Sequence, residues 1–134
     1  MSVVKQSGVA YPFTVVEPLF TSASSAVANE AETFKITPNC DDVREVILVR
    51  NGSSDKMVTI YFECNENAPR PTTPAQTIGP ATEYVLAVDS ALLKKADGSF
   101  SLVAIPPTGA SLSACSFSIA SIGMRQTPLP PAAV

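Results

Sequence analysis

Short apolar segments, each closed by turn residues, set the limits on what this chain can fold into. The apolar run 46–49 is followed by the turn residues 51–55 and the apolar run 57–62, and the pattern recurs at 84–88, 100–105 and 115–122. Short strands separated by turn signals are typical of a sandwich of two sheets. The sequence therefore predicts an all-β fold, a single antiparallel β-sandwich of the jelly-roll or immunoglobulin-like type.

The pattern within these segments predicts individual strands and one helical insert. Residues 33–37, 44–51, 56–64, 76–78 and 113–122 read as strands, the last with one core face and one face of small polar groups that meets water or another subunit. Residues 51–55 (Asn-Gly-Ser-Ser-Asp) read as a hairpin loop, because Asn and Gly tolerate positive φ. Asp89 or Ser90 can cap one or two helical turns that Gly98 ends.

The length of 134 residues fits one domain with two appendages. Residues 1–31 form an extended N-terminal arm, 32–125 the sandwich body and 126–134 a Pro-rich C-terminal tail. The arm carries apolar residues ahead of the Ser/Ala-rich stretch 21–26, which is flexible by composition. These residues must be buried somewhere, along the chain's own sheet or along a neighbour.

Charge and hydropathy exclude two classes of partner. The net charge is −3 and Lys and Arg are not clustered, so direct binding of nucleic acid is not expected. No segment approaches the roughly 20 apolar residues of a membrane span, and the first eight residues lack the apolar stretch of a signal peptide. We therefore expect no membrane association and no Sec export.

The residue types that catalysis usually needs are scarce. The chain has no histidine, so a Ser-His-Asp or Cys-His device cannot be built from it alone. Its three cysteines, Cys40, Cys64 and Cys115, are odd in number and widely spaced, which fits neither a complete disulfide framework nor a metal-binding pair. They read as free thiols, with Cys115 in the core.

Two groups of carboxylates are candidate sites. Asp41, Asp42 and Glu45 are close enough in sequence to share a calcium ion, and Glu63 and Glu66 are candidates for an acid/base pair. Charged clusters between strands are more often solvated turns, and no calcium-loop spacing is present. We therefore predict no catalytic, metal-binding or cofactor-binding residues, and a protein that is not an enzyme.

Three segments carry a family resemblance: 46–60, 78–80 (Ile-Gly-Pro) and 92–102, within about residues 43–105. Their succession of apolar strand, Asn-Gly, β-branched strand, Gly-Pro turn, short helix and Asp-Gly before a strand resembles small head proteins of tailed bacteriophages. The resemblance implies a capsid decoration or cement protein, made in the host cytoplasm and placed on the capsid surface of the virion. Its partner would be the major capsid protein, whose neighbouring subunits it ties together.

Exposed apolar residues outside the body are the candidates for such contacts. A homo-oligomer on the capsid surface would multiply weak contacts into strong retention. Alternatives are a receptor- or carbohydrate-binding module of a phage tail or baseplate and, less favoured by composition, a carboxylate enzyme. The partner-binding residues we predict are Tyr11, Phe13, Leu19 and Phe20 in the arm and Leu129 to Val134 in the tail.

Overall fold

The computed structural model describes residues 2–4, 6–8, 18–38 and 45–123. Within these residues the chain forms two β-sheets with a shared apolar core and one short helix, which confirms the predicted β-sandwich. The strands are β1 (Ser2–Val3), β2 (Gln6–Gly8), β3 (Thr21–Ser22), β4 (Glu32–Ile36), β5 (Glu45–Asn51), β6 (Val58–Phe62), β7 (Gln76–Ile78), β8 (Thr82–Leu86), β9 (Phe100–Ile105) and β10 (Phe117–Gly123), and the helix is α1 (Ser90–Leu93).

The strand order identifies the type of sandwich. The first sheet has the order β1-β4-β9-β6-β7, and the second has the order β2-β10-β5-β8 with β3 also paired to β10. From β3 onward the chain changes sheet at every connection except the one between β6 and β7. The eight strands β3 to β10 form two facing sheets, one in the order β3-β10-β5-β8 and the other in the order β4-β9-β6-β7. This is the strand order of a jelly roll. Of the two sandwich types that the sequence left open, the structure has the jelly roll.

The described residues of the predicted N-terminal arm lie on the chain's own sheets. β1 pairs in parallel with β4, and β2 pairs in parallel with β10. Val4 and Ala23 are buried in the core between the sheets. The sequence left open whether the arm lies along the chain's own sheet or along a neighbour. The described parts lie along the chain's own sheets, because short parallel strands satisfy their backbone groups at the sheet edges.

A buried carboxylate fastens this N-terminal region to the body. Glu32, the first residue of β4, is only 8% exposed. Its Oε1 accepts hydrogen bonds from the backbone N–H groups of Ser24 (3.0 Å) and Ser25 (2.9 Å), and its Oε2 accepts one from the Ser2 hydroxyl. Hydrogen bonds to an ionised acceptor are stronger than those between neutral groups. One side chain thus connects β1, β4 and the segment after β3.

The predicted hairpin over 51–55 is wrong, because β5 and β6 on either side of it belong to different sheets. Asn51 is fully buried, and its Nδ2 donates to the carbonyl oxygens of Lys56 (2.7 Å) and Ile78 (3.2 Å). Its Oδ1 accepts from the Ser53 backbone N–H at 3.1 Å. A buried amide needs such partners. Asn51 is therefore a bridge between the crossing loop and β7.

Gly52 is needed for close approach between backbones. Its φ is not positive, in contrast to the values at Gly98 and Gly109. A Cβ at Gly52 would lie 2.8 Å from the Cβ of Ser116, and the Gly52 N–H donates to the Ser116 carbonyl oxygen at 3.3 Å. The absence of a side chain lets the crossing loop pass against the turn before β10.

β10 is buried on both faces. Phe117 and Ile119 join the core as predicted, together with Cys115 in the turn before the strand. Ser118 and Ala120 on the opposite face are buried too. The prediction that this face of the strand meets water or another subunit is therefore wrong. The strand also begins at Phe117 rather than at residue 113. β10 lies between β5 on one side and the edge strands β2 and β3 on the other, and the buried side chains on this face, Ser118 and Ala120, are small.

The helical insert is short and well anchored. Asp89 caps α1 as predicted, with its Oδ1 accepting from the Ala91 backbone N–H at 3.0 Å. The helix ends at Leu93, where the backbone becomes extended at Lys94, and not at Gly98 as predicted. The Asn65 side chain donates from Nδ2 to the carbonyl oxygens of Ala91 and Lys94, both at 2.9 Å. The buried Leu93 fixes the inner face of the helix on the core. These contacts hold α1 beside the loop that follows β6.

Candidate interaction surfaces

Phe20, one of the predicted partner-binding residues, is part of a stack on the outer face of the second sheet. The Arg50 guanidinium lies over its ring, 4.0 Å from the ring centroid. Nε and Nη2 of Arg50 also donate to Oε2 of Glu83 at 3.1 and 2.9 Å. A cation over an aromatic face contributes about 0.5–1 kcal/mol at exposed sites. The stack therefore favours the observed position of Phe20 on the outside of the sandwich.

Strand pairing explains why these side chains meet. Val49 of β5 is fully buried in the core, so its neighbour Arg50 points to the opposite face. Arg50 is directly opposite Glu83 of β8 in the antiparallel register. Opposite charges at such a position attract each other. The alternation of β5 thus places a cation on the outer face, beside the segment that carries Phe20.

Exposed apolar side chains accompany this stack. Val85 of β8 is 69% exposed and lies opposite Leu48, which is outside the core cluster. Leu19, the neighbour of Phe20 in sequence, is 49% exposed. Exposed apolar side chains of this kind are candidates for contact with a partner. We call the set Leu19, Phe20, Arg50, Glu83 and Val85 the β8 surface.

The β8 surface borders an open sheet edge. In the part of the chain that the structure describes, β8 pairs only with β5 and forms the end of its sheet. Its sequence, Thr-Glu-Tyr-Val-Leu, contains no Pro, and its one charged residue, Glu83, is paired with Arg50 on the outer face. An edge strand presents backbone groups to which another chain can add a strand. β8 therefore offers both apolar contact and backbone hydrogen bonding.

A cavity of about 540 Å³ opens at one end of the sandwich. This size lies within the usual range for ligand pockets, about 300–1,000 Å³. Apolar groups form most of its wall, and the exposed charged residues Arg70 and Asp89 belong to its lining as well. The cavity lies between β6, the end of β8, α1 and the Pro-rich loop after β6. Its apolar lining includes Ile60, Phe62, Cys64, Pro69, Pro74, Leu86, Leu92 and Leu93.

The two cysteines in the described residues are free thiols in different surroundings. Cys64 is half-buried and lines the cavity, whereas Cys115 is fully buried in the core. Burial raises the pKa of the Cys115 thiol, because the thiolate is disfavoured away from water. Cys40 lies outside the residues that the structure describes. Of the described pair, Cys64 is thus the thiol within reach of reagents.

The candidate carboxylates form no metal-binding cluster in the described residues. No three His, Cys, Asp or Glu side chains among them lie close enough to hold a metal ion, and Asp41 and Asp42 lie outside that part of the chain. Oε1 of Glu63 accepts from Nζ of Lys95 at 2.5 Å, so Glu63 is in an ion pair, and Glu66 is exposed.

One exposed carboxylate has a strongly shifted pKa for a structural reason. Hydrogen bonds from the Ser99 hydroxyl (2.6 Å) and backbone N–H (3.1 Å) and the nearby Lys35 ammonium (3.3 Å) lower the pKa of Asp97 from its ordinary 3.8 to about 2. These groups stabilise the ionised form. Asp97 closes the turn before β9 and ties it to β4 through Lys35.

The structure places only part of the predicted interaction set. Leu19 and Phe20 lie together on the β8 surface, while Tyr11, Phe13, Leu129 and Val134 lie outside the described residues. Sequence reasoning missed the cavity and the rest of the β8 surface. The alternation of apolar and polar residues in β5 predicts that Arg50 points outward, but it does not predict that Arg50 pairs with β8.

No described helix has the length and apolarity that crossing a membrane requires.

The chain matches no protein-family model, and neither a curated protein nor a solved structure gives a significant match.

Proposed function

We propose that this protein is a structural component of a bacteriophage virion, a capsid decoration or cement subunit. In this proposal it binds the outside of the shell between neighbouring major capsid proteins and stabilises the head. The resemblance of residues 43–105 to small phage head proteins supports the assignment, and jelly rolls are common among viral capsid domains. The β8 surface is the observation that carries it: exposed apolar side chains beside an open strand edge.

The expected contact combines strand addition with apolar burial. An extended segment of the major capsid protein pairs with β8, while Val85, Leu19 and the edge of Phe20 are removed from water. Burial of each such side chain contributes about 1.5–3 kcal/mol, but association costs about 4 kcal/mol or more in lost freedom of motion. One contact is therefore weak. A homo-oligomer that makes several such contacts at once stays bound to the shell much longer than a single subunit.

Co-sedimentation with empty shells tests this proposal. The shells are assembled from the major capsid protein encoded in the same genome, and the bound fraction is compared for Val85→Glu and Val27→Glu. Val27 is the matched control, because it is 58% exposed and lies in the connection from β3 to β4, and β3 is separated from β8 by β10 and β5. We expect Val85→Glu to weaken binding at least tenfold and Val27→Glu to leave it unchanged, with unchanged melting temperatures for both. Equal binding by both variants would exclude the β8 surface.

The alternative of a receptor- or carbohydrate-binding module shares this fold, since jelly rolls also form lectin domains. The two functions differ in what the protein binds. A glycan array and the shell assay on the same preparation separate them. Glycan binding without shell binding would replace the cement proposal.

A further inference from the structure

The cavity at the end of the sandwich leaves apolar surface open to water in the described residues. Leu92 of α1, which lines it, is 40% exposed, and Leu86 and Cys64 are only half-buried. Removing such surface from water is favourable. An occupant that is mainly apolar fits this part of the wall best.

The described chain ends close to this cavity. β10 ends at Gly123, which is opposite Glu45 of β5, and Ile47 of β5 is opposite Leu86 of β8. β8 is therefore separated from β10 by two strand spacings, about 10 Å across the sheet. Along the strand direction, Leu86 and Gly123 are about 7 Å apart, the length of two residues. β10 and β8 run in the same direction, since each is antiparallel to β5. The chain therefore leaves β10 at the end of the sheet where Leu86 lines the cavity.

Residues 124–134 have the length and chemistry to reach and fill it. As polyproline II, at about 3.1 Å per residue, the six residues from 124 to 129 span about 19 Å, which exceeds the separation estimated above. Residues 127–134 (Thr-Pro-Leu-Pro-Pro-Ala-Ala-Val) carry no charged side chain and three prolines. Polyproline segments dock in apolar grooves at low entropic cost because their conformation is already restricted.

We propose that residues 127–134, the Pro-rich tail, dock in the cavity of their own subunit, with Leu129 as the main apolar anchor. This inference goes beyond the decoration function and does not depend on it. Attachment to the same chain favours the tail over a free partner, because a short tether gives an effective concentration on the order of 1 mM. Docking that is about 1.4 kcal/mol more favourable than the open arrangement covers the cavity about ten times as often as it leaves it open.

Alkylation of Cys64 tests the proposal, because this thiol lines the cavity. The reaction is followed by mass spectrometry in a Cys40→Ser background, and alkylation of the buried Cys115 reports any general unfolding. We expect deletion of residues 124–134 to accelerate modification of Cys64 about tenfold and to leave Cys115 protected. A synthetic peptide of residues 124–134, added to the truncated protein, should restore the protection.

Point variants keep the test decisive if the truncated protein does not fold. Leu129→Asp in the full chain should expose Cys64 as the deletion does, whereas Gln126→Asp, in the tether, should not. Equal Cys64 reactivity in the full chain and in Leu129→Asp would overturn the proposal. Protection that appears only at high protein concentration, together with a dimer in analytical ultracentrifugation, would instead assign the cavity to the tail of a second copy.

Discussion

Replacing Glu32 by alanine should destabilise the fold far more than one substitution near a sheet edge normally does. The carboxylate is nearly buried and accepts from two backbone N–H groups, at Ser24 and Ser25, and from the Ser2 hydroxyl. Each hydrogen bond to a charged group contributes about 1.5–3 kcal/mol, and water that enters the gap recovers part of this. We expect Glu32→Ala to lower the free energy of unfolding by about 2–4 kcal/mol. Glu32→Gln keeps one acceptor oxygen and should cost about 1–2 kcal/mol.

Urea unfolding measures this loss, with an unchanged denaturant slope as evidence that the cooperative unit is the same. Hydrogen exchange locates it, because the amides of Ser24 and Ser25 should lose protection in Glu32→Ala. Glu30→Gln is the matched control: Glu30 is exposed and accepts one hydrogen bond, from the Ser25 hydroxyl at 2.8 Å. Its cost should stay below about 0.5 kcal/mol. If the Glu32 and Glu30 variants are equally stable, the carboxylate does not fasten the N-terminal strands.

Three further predictions concern single residues. Gly52→Ala should cost about 1–3 kcal/mol in chemical unfolding because a Cβ at this position overlaps a neighbour, whereas Gly79→Ala, which has space for one, should be nearly neutral. The Asp97 carboxyl should titrate near pH 2 by NMR; because its pKa is lowered, its stabilising effect is fully present above about pH 3.8 and is lost as the pH falls towards 2, and Asp97→Asn should remove this acid-dependent part. Cys115→Ser should cost about 1–3 kcal/mol in thermal unfolding by placing a hydroxyl in an apolar site, and Cys64→Ser should change the melting temperature little.

Local periodicity was enough to find most strands but not to assign them to sheets. Val58, Ile60 and Phe62 alternate along β6 and are buried as that pattern predicts. The same kind of reasoning paired β5 with β6 across Asn-Gly and was wrong. Asn51 serves a buried contact with β7, which is distant in sequence, and a turn signal cannot distinguish that role from a reversal. The jelly-roll order follows from such long-range pairings.

The N-terminal strands and the candidate surfaces were harder to predict for related reasons. β1 and β2 have only two and three residues, too few for a periodic pattern, and their place depends on pairing with β4 and β10. Phe20 was predicted as an interaction residue from its apolar character alone. Its partner Arg50 and the neighbouring Val85 are brought to it by β-strand register, which the sequence does not specify.

Cryo-electron microscopy of empty shells, with and without the added protein, tests the central claim most directly. The decoration proposal predicts additional jelly-roll-shaped density on the outer surface, between neighbouring major capsid subunits. It also predicts that the edge of β8, with Val85 and Phe20, faces the shell. Shells without additional density, or density confined to a tail or baseplate on whole particles, would contradict the proposal.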